Sequence, residues 1–180
     1  MKVALIIGHS YEDKGAVNAT TGIQEFDYNE RLVDRIHKIL SILENVESEV
    51  VYRNTYSGLP AKVNATNADI AIEFHCNAFN TQASGTEMLY WHSSRKGSQL
   101  ANLFQYAALD ALSLRNRGVK AIDGTSRGGS LLKKTRMPTI ICEPFFIDND
   151  DDLHTAQQEF ERLAERFVVA ISEYASIHNV

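Results

Sequence analysis

Two histidines and two glutamates in this chain stand where side chains can do hydrolytic chemistry. In "EFHCNA", residues 73–78, His75 closes an apolar run and is followed by polar chain. Asp69–Ile72 upstream reads as a buried strand, and Asn77–Asn80 downstream reads as a loop. In α/β proteins, ligands and reacting groups collect at strand ends of this kind. A second histidine, His9, follows Gly8 at the end of the apolar run Val3–Ile7. Two histidines leaving buried strands at one sheet edge suit a metal ion. Zinc that activates water takes three protein ligands and keeps one position open. Glu25, just ahead of "FDYNERLV", supplies the third from the start of a helix. Glu143 ends another apolar run, Thr139–Cys142, and Pro144 holds it extended. It suits a general base placed beside the activated water without ligating the metal.

Spacing leaves other readings open. Each histidine also reads as an ordinary polar residue, and Glu25 as a carboxylate favoured by the helix macrodipole. His37, His92, His154 and His178 fall in helices, loops or the tail and read as structural or solvated. Asp150, Asp151 and Asp152 read as the acidic cap of the last helix, without a calcium-loop pattern.

The elements that must position these residues alternate. Strands are expected at Val3–Ile7, Glu49–Tyr52, Asp69–Phe74, Thr86–Trp91 and Thr139–Cys142. Between them, residues 28–43 carry Leu32, Ile36, Ile39, Leu40 and Leu43 at helical spacing, and residues 96–114 are equally periodic. A short helix is expected within 58–67, and a last one from about Thr155 to Ile177. Residues 122–130, "IDGTSRGGS", read as a loop able to cover a cleft, without the spacing of a phosphate loop. Strands separated by helices predict an α/β domain with a twisted, mixed, mostly parallel sheet flanked by helices on both faces.

The chain has 180 residues, enough for one domain over 1–180 and too few for two large ones. Its net charge of −5 and lack of a basic stripe argue against a nucleic-acid binder. Arg115, Arg117 and Lys120 read as solvated loop or helix-end charges. Cys76 and Cys142 form neither a disulfide framework nor a C-x-x-C pair. No apolar run approaches membrane-spanning length, and Val3–Ile7 is too short for a secretory leader. Synthesis in the cytoplasm, with no membrane insertion and no obligate protein partner, is therefore expected.

Six blocks then resemble one family in their order. "IIGHSYEDKGAVN", "GIQEFDYNERLV", "ADIAIEFHCNA", "GTEMLYW", "NRGVKA" and "RMPTIICEPFFIDN" are similar to segments of the zinc-dependent N-acetylmuramoyl-L-alanine amidases of cell division, sporulation and phage lysis. The resemblance implies that His9, Glu25 and His75 hold one zinc per chain and that Glu143 is the catalytic base. It implies a peptidoglycan substrate, with Asn77 and Arg127 as candidate contacts, and action on the wall after release. Ser10-Tyr11 replaces the usual Gly-Gly, Glu73 a usual serine and Phe145 a usual glycine. These departures touch neighbours of the four reacting positions. With no room for a plugging helix between His75 and the last strand, the chain resembles a compact phage or prophage endolysin, or equally a catalytic domain cut from something longer. Rival readings are a zinc peptidase or carboxypeptidase cutting within the stem peptide, an inactive wall-binding module, and a nucleotide-binding α/β protein.

Overall fold

The computed structural model describes residues 1–126 and 128–179. Its elements run β1 (Lys2–Ile7), α1 (Glu25–Leu40), β2 (Glu47–Tyr52), α2 (Leu59–Ala65), β3 (Ile70–Phe74), β4 (Thr86–Trp91), α3 (Arg95–Leu112), β5 (Asn116–Ile122), α4 (Gly129–Lys134), β6 (Thr139–Glu143), α5 (Asp150–Gln158) and α6 (Phe160–His178). The strands form one sheet in the order β2-β1-β3-β6-β4-β5. Every pairing is parallel except β4 with β6. A mixed, mostly parallel α/β sheet with helices on both faces is what the alternation predicts.

Because successive strand side chains point to opposite faces, each central strand feeds two cores. Val3, Leu5 and Ile7 join Ile70, Ile72, Phe74, Ile140 and Cys142 in the large cluster, together with buried residues of α1, α3, α5 and α6. Ala4, Ile6 and Ala71 face the other way, towards Leu59 and Val63 of α2 and Leu131 of α4. The first face therefore carries the long helices. The second is covered by two short ones.

The structure corrects the sequence reading at several boundaries. Helix α1 begins at Glu25, at the helix start where that residue was expected, and ends at Leu40 rather than 43. Its first amides need no side-chain cap, because Glu25 N donates to Ala16 O and Phe26 N to Lys14 O. Residues 116–122 form an edge strand, so Arg117 and Lys120 belong to β5 rather than to a loop or helix end. Charged side chains suit an edge, where they discourage pairing with another chain. The 122–130 segment is only partly loop, since α4 starts at Gly129. The last helix is two: α5 breaks at Glu159 before α6 begins. Asp150, Asp151 and Asp152 form the first turn of α5, behind an Asn149 cap whose side chain accepts from Asp151 N and Asp152 N.

Candidate metal centre

Three elements end at one point. The parallel register sets Ile7 beside Phe74 and Phe74 beside Cys142. The next residues along β1 and β3 are Gly8 and His75, and Gly8 N donates to Phe74 O while His75 N donates to Cys142 O. His9 then turns away with φ of 69°, a conformation uncommon outside glycine and often found at functional sites. Gly8 has to be glycine. An added Cβ there would lie 2.4 Å from Phe74 O and 2.7 Å from His75 Nδ1.

Glu25 enters from the start of α1 and is only 3% exposed. Its carboxylate is fixed by backbone: Oε1 accepts from Cys76 N at 3.0 Å and Oε2 from Ala16 N at 3.0 Å. His75 Nδ1 lies 2.8 Å from Oε1, and His9 Nε2 lies 3.1 Å from Oε2. The imidazoles meet edge to face, their centroids 5.0 Å apart. One donor atom from each of His9, Glu25 and His75 falls within 4.8 Å of the others.

Behind each ring stands a second carboxylate. His9 Nδ1 is 3.4 Å from Asp13 Oδ2, which Arg53 Nη2 holds at 3.0 Å. His75 Nε2 is 3.4 Å from Glu73 Oε1. Spacing could have revealed Glu73, which sits in β3 two residues before His75. Asp13 lies in a loop and gave no such signal.

The charges of this cluster are lopsided. Burial disfavours ionisation of Glu25, but its hydrogen bond to His75 and its charge interactions with His75 and His9 prevail and bring its pKa below the usual carboxylate range. Burial likewise opposes a charge on His75. The charge of Glu73 and the hydrogen bond to Glu25 outweigh it and push the pKa well above the ordinary histidine value. The pocket is thus built to hold positive charge. Two imidazole nitrogens and a carboxylate oxygen, converging and buried, fit a divalent metal of borderline softness. His9 Nε2 is buried and forms no hydrogen bond among the described residues, as expected of a nitrogen whose lone pair serves a cation.

The site opens into a cleft of about 680 Å³ lined by His9, Glu73, His75 and Glu143, with Arg53, Tyr56 and Ser130 further out. Glu143 ends β6 on the face shared with Ile141, opposite Glu87 of β4. A smaller cleft beside it is lined by His9, Glu25, His75, Asn77 and Glu143. Asn77 is already engaged: its Nδ2 donates to Glu87 Oε1 at 2.9 Å and its Oδ1 accepts from Ala78 N. Arg117 Nε donates to the other Glu87 oxygen at 2.8 Å. Arg127 lies outside the described residues.

Residues 3–173 match the family model of N-acetylmuramoyl-L-alanine amidase. The chain belongs to that family. The amidase-family chain is 32% identical over 162 residues to the endolysin of Bacillus phage SPP1, a match spanning 83% of this chain and 56% of that protein. It covers 21% and 30% of two further Bacillus relatives, so it spans little more than half the length of the curated relatives it matches, or less. Its fold superposes on an N-acetylmuramoyl-L-alanine amidase from Clostridium difficile 630 with a TM-score of 0.88 and 23% identity, covering 97% of this chain and 96% of that one. The catalytic domain of the CD27L endolysin targeting Clostridia Difficile gives 0.82 and 26%, covering 96% and 97%. Among the described residues of the amidase-family chain, no helix is long and apolar enough to cross a membrane.

Proposed function

We propose that residues 1–180 form a zinc-dependent N-acetylmuramoyl-L-alanine amidase domain of endolysin type. It would cleave the amide between the lactyl group of N-acetylmuramic acid and L-alanine of the stem peptide in peptidoglycan. The observation that carries this reading is the convergence of His9, Glu25 and His75 where β1 and β3 end and α1 begins in an amidase-family fold. Similarity to the phage SPP1 endolysin supports the lytic role.

His9, Glu25 and His75 would hold about one zinc per chain. Bound there, zinc supplies Lewis-acid polarisation of the scissile carbonyl and acidification of the attacking water. The chain's own part is positional and protolytic. Two backbone amides hold Glu25 in place before any ligand arrives. Glu143, in the cleft wall beside both histidines, accepts a proton as water adds to the carbonyl carbon. It then delivers that proton to the alanine nitrogen as the C–N bond breaks. A lactyl carboxylate and a free alanine amine are left. Asn77 has one amide hydrogen and one lone pair beyond its Glu87 and Ala78 bonds, which suits it to contact substrate. Arg127 is proposed as a second contact.

Digestion of purified peptidoglycan, followed by mass spectrometry of the new termini, tests the reaction. Free L-alanine amines on intact stem peptides are expected. Fragments cut within the stem would overturn the amidase reading in favour of a peptidase. Chelation should abolish activity and added zinc should restore it, whereas full activity in metal-depleted protein would sink the zinc assignment.

A further inference from the structure

The strand that delivers His75 also delivers Glu73, and no step described above uses that carboxylate. It is 1% exposed. The register places it between Ile6 of β1 and Ile141 of β6, both apolar and both buried. A carboxylate in such surroundings costs free energy unless a cation or a hydrogen-bond donor answers it. Glu73 Oε1 makes no hydrogen bond among the described residues. Its ion-pair neighbour is His75 Nε2 at 3.4 Å. That gap is a few tenths of an ångström longer than a charge-assisted hydrogen bond, a distance one small carboxylate rotation can close.

We propose that Glu73 is a positioning residue of the metal centre, accepting the Nε2–H of His75 so that Nδ1 presents its lone pair to the metal. The inference rests on the zinc reading above. Its logic is that of a two-nitrogen ring. Nδ1 is the nitrogen on the ligand side, 2.8 Å from Glu25 Oε1. A neutral imidazole that ligates through Nδ1 must carry its proton on Nε2, and a buried N–H needs an acceptor. Glu73 lies in β3 and His75 two residues on, just past the strand's end, so the acceptor is built into the segment that supplies the ligand. Asp13 stands in the same relation to His9, whose ligand-side nitrogen is Nε2 and whose Nδ1 faces the carboxylate. Asp13, however, is largely exposed, its side chain 66% accessible, and its hold is correspondingly weaker. The buried partner is the one that fixes a tautomer.

The test is zinc affinity rather than turnover. Zinc-loaded wild type, Glu73→Gln and Glu73→Ala are titrated with a competing chelator. Ring-nitrogen NMR on histidine-labelled samples reports the tautomer of His75. A 10- to 100-fold weaker zinc affinity is expected for Glu73→Ala, the usual scale for losing a carboxylate behind a ligating histidine. Glu73→Gln, which keeps an oxygen acceptor but loses the charge, should fall between. The Nε2–H signal of His75 should be protected from solvent exchange in wild type and lose that protection in Glu73→Ala. Affinities within about twofold of wild type, with unchanged ring signals, would overturn the inference while leaving the zinc reading intact. Failure of both variants to fold would assign Glu73 a structural role and overturn it too. Wild-type protein that takes up no zinc would instead remove the reading on which it stands.

Discussion

On one face of the sheet Val3, Leu5, Ile7, Ile72 and Phe74 meet four helices, α3 and α6 among them. On the other face Ala4, Ile6 and Ala71 meet the short helices α2 and α4, and the strand ends beyond them carry Glu73, His75 and Glu143. The same strands build both faces, one parity apolar throughout and the other turning polar at its end. The contrast teaches where stability and chemistry reside. A buried carboxylate such as Glu73 and a left-handed histidine such as His9 both oppose folding, by burial and by backbone strain. They persist because the opposite face buries enough apolar surface to outweigh them.

That division can be broken first on the thick face. Phe167 of α6 stacks on Phe104 of α3, with centroids 5.0 Å apart, and meets Phe74 of β3 at 5.8 Å. All three are fully buried. Phe167→Ala should cost about 3–5 kcal/mol of unfolding free energy, the range for emptying a packed aromatic site. Urea unfolding measures the loss. Below the new transition, activity per folded molecule should remain that of the wild type. If activity fell in proportion to stability, the two faces would not be separable.

The thin face should fail the other way. Glu143→Gln keeps shape but loses a proton acceptor, so turnover should drop at least about 10²-fold, or about 2.7 kcal/mol of barrier. Zinc content and melting temperature should stay near wild type. Glu25→Gln also replaces a carboxylate of this site, yet it should lose metal first and regain part of its turnover in excess zinc. Zinc analysis beside amide-cleavage rates reads both variants. Retained zinc in Glu25→Gln and lost zinc in Glu143→Gln would exchange their roles.

What the sequence made legible follows the same line. Val3–Ile7 and Thr139–Cys142 are continuous apolar runs because both their faces are buried, and such strands announce themselves. His9, Glu25, His75 and Glu143 stand out in the sequence as candidates because each lies at or just past the boundary of a periodic element. The structure brings His9, Glu25 and His75 into one cluster and sets Glu143 in the same cleft. Strand β5 stayed hidden because it is an exposed edge whose Arg117 and Lys120 blur any alternation. The start of α1 at Glu25 is legible, but the bonds that satisfy its first amides, to Lys14 O and Ala16 O, are not, because only the folded loop provides those partners. The split between α5 and α6 was hidden by apolar spacing that continues across Glu159. Asp13 was hidden too, since its approach to His9 depends on loop geometry and on Arg53.

The finest version of the comparison uses two glycines of one loop. Gly15 and Gly22 both have φ of +74°, so alanine carries the same backbone penalty at either, roughly 1–2 kcal/mol. Their surroundings differ. A Cβ on Gly15 would lie 2.6 Å from Glu25 Oε2 and 2.7 Å from His9 Nε2, nearer than carbon can approach either atom. A Cβ on Gly22 would meet nothing within 4 Å. Gly22→Ala should therefore lower stability by the backbone term alone and leave zinc affinity and turnover unchanged. Gly15→Ala should add to that loss a displacement of two of the three proposed ligands, read as weaker zinc binding in the same chelator titration. Equal zinc affinity in the two variants would mean that the ligand cluster can shift to admit a methyl group. The rigidity argued from the backbone bonds holding Glu25 would then be wrong.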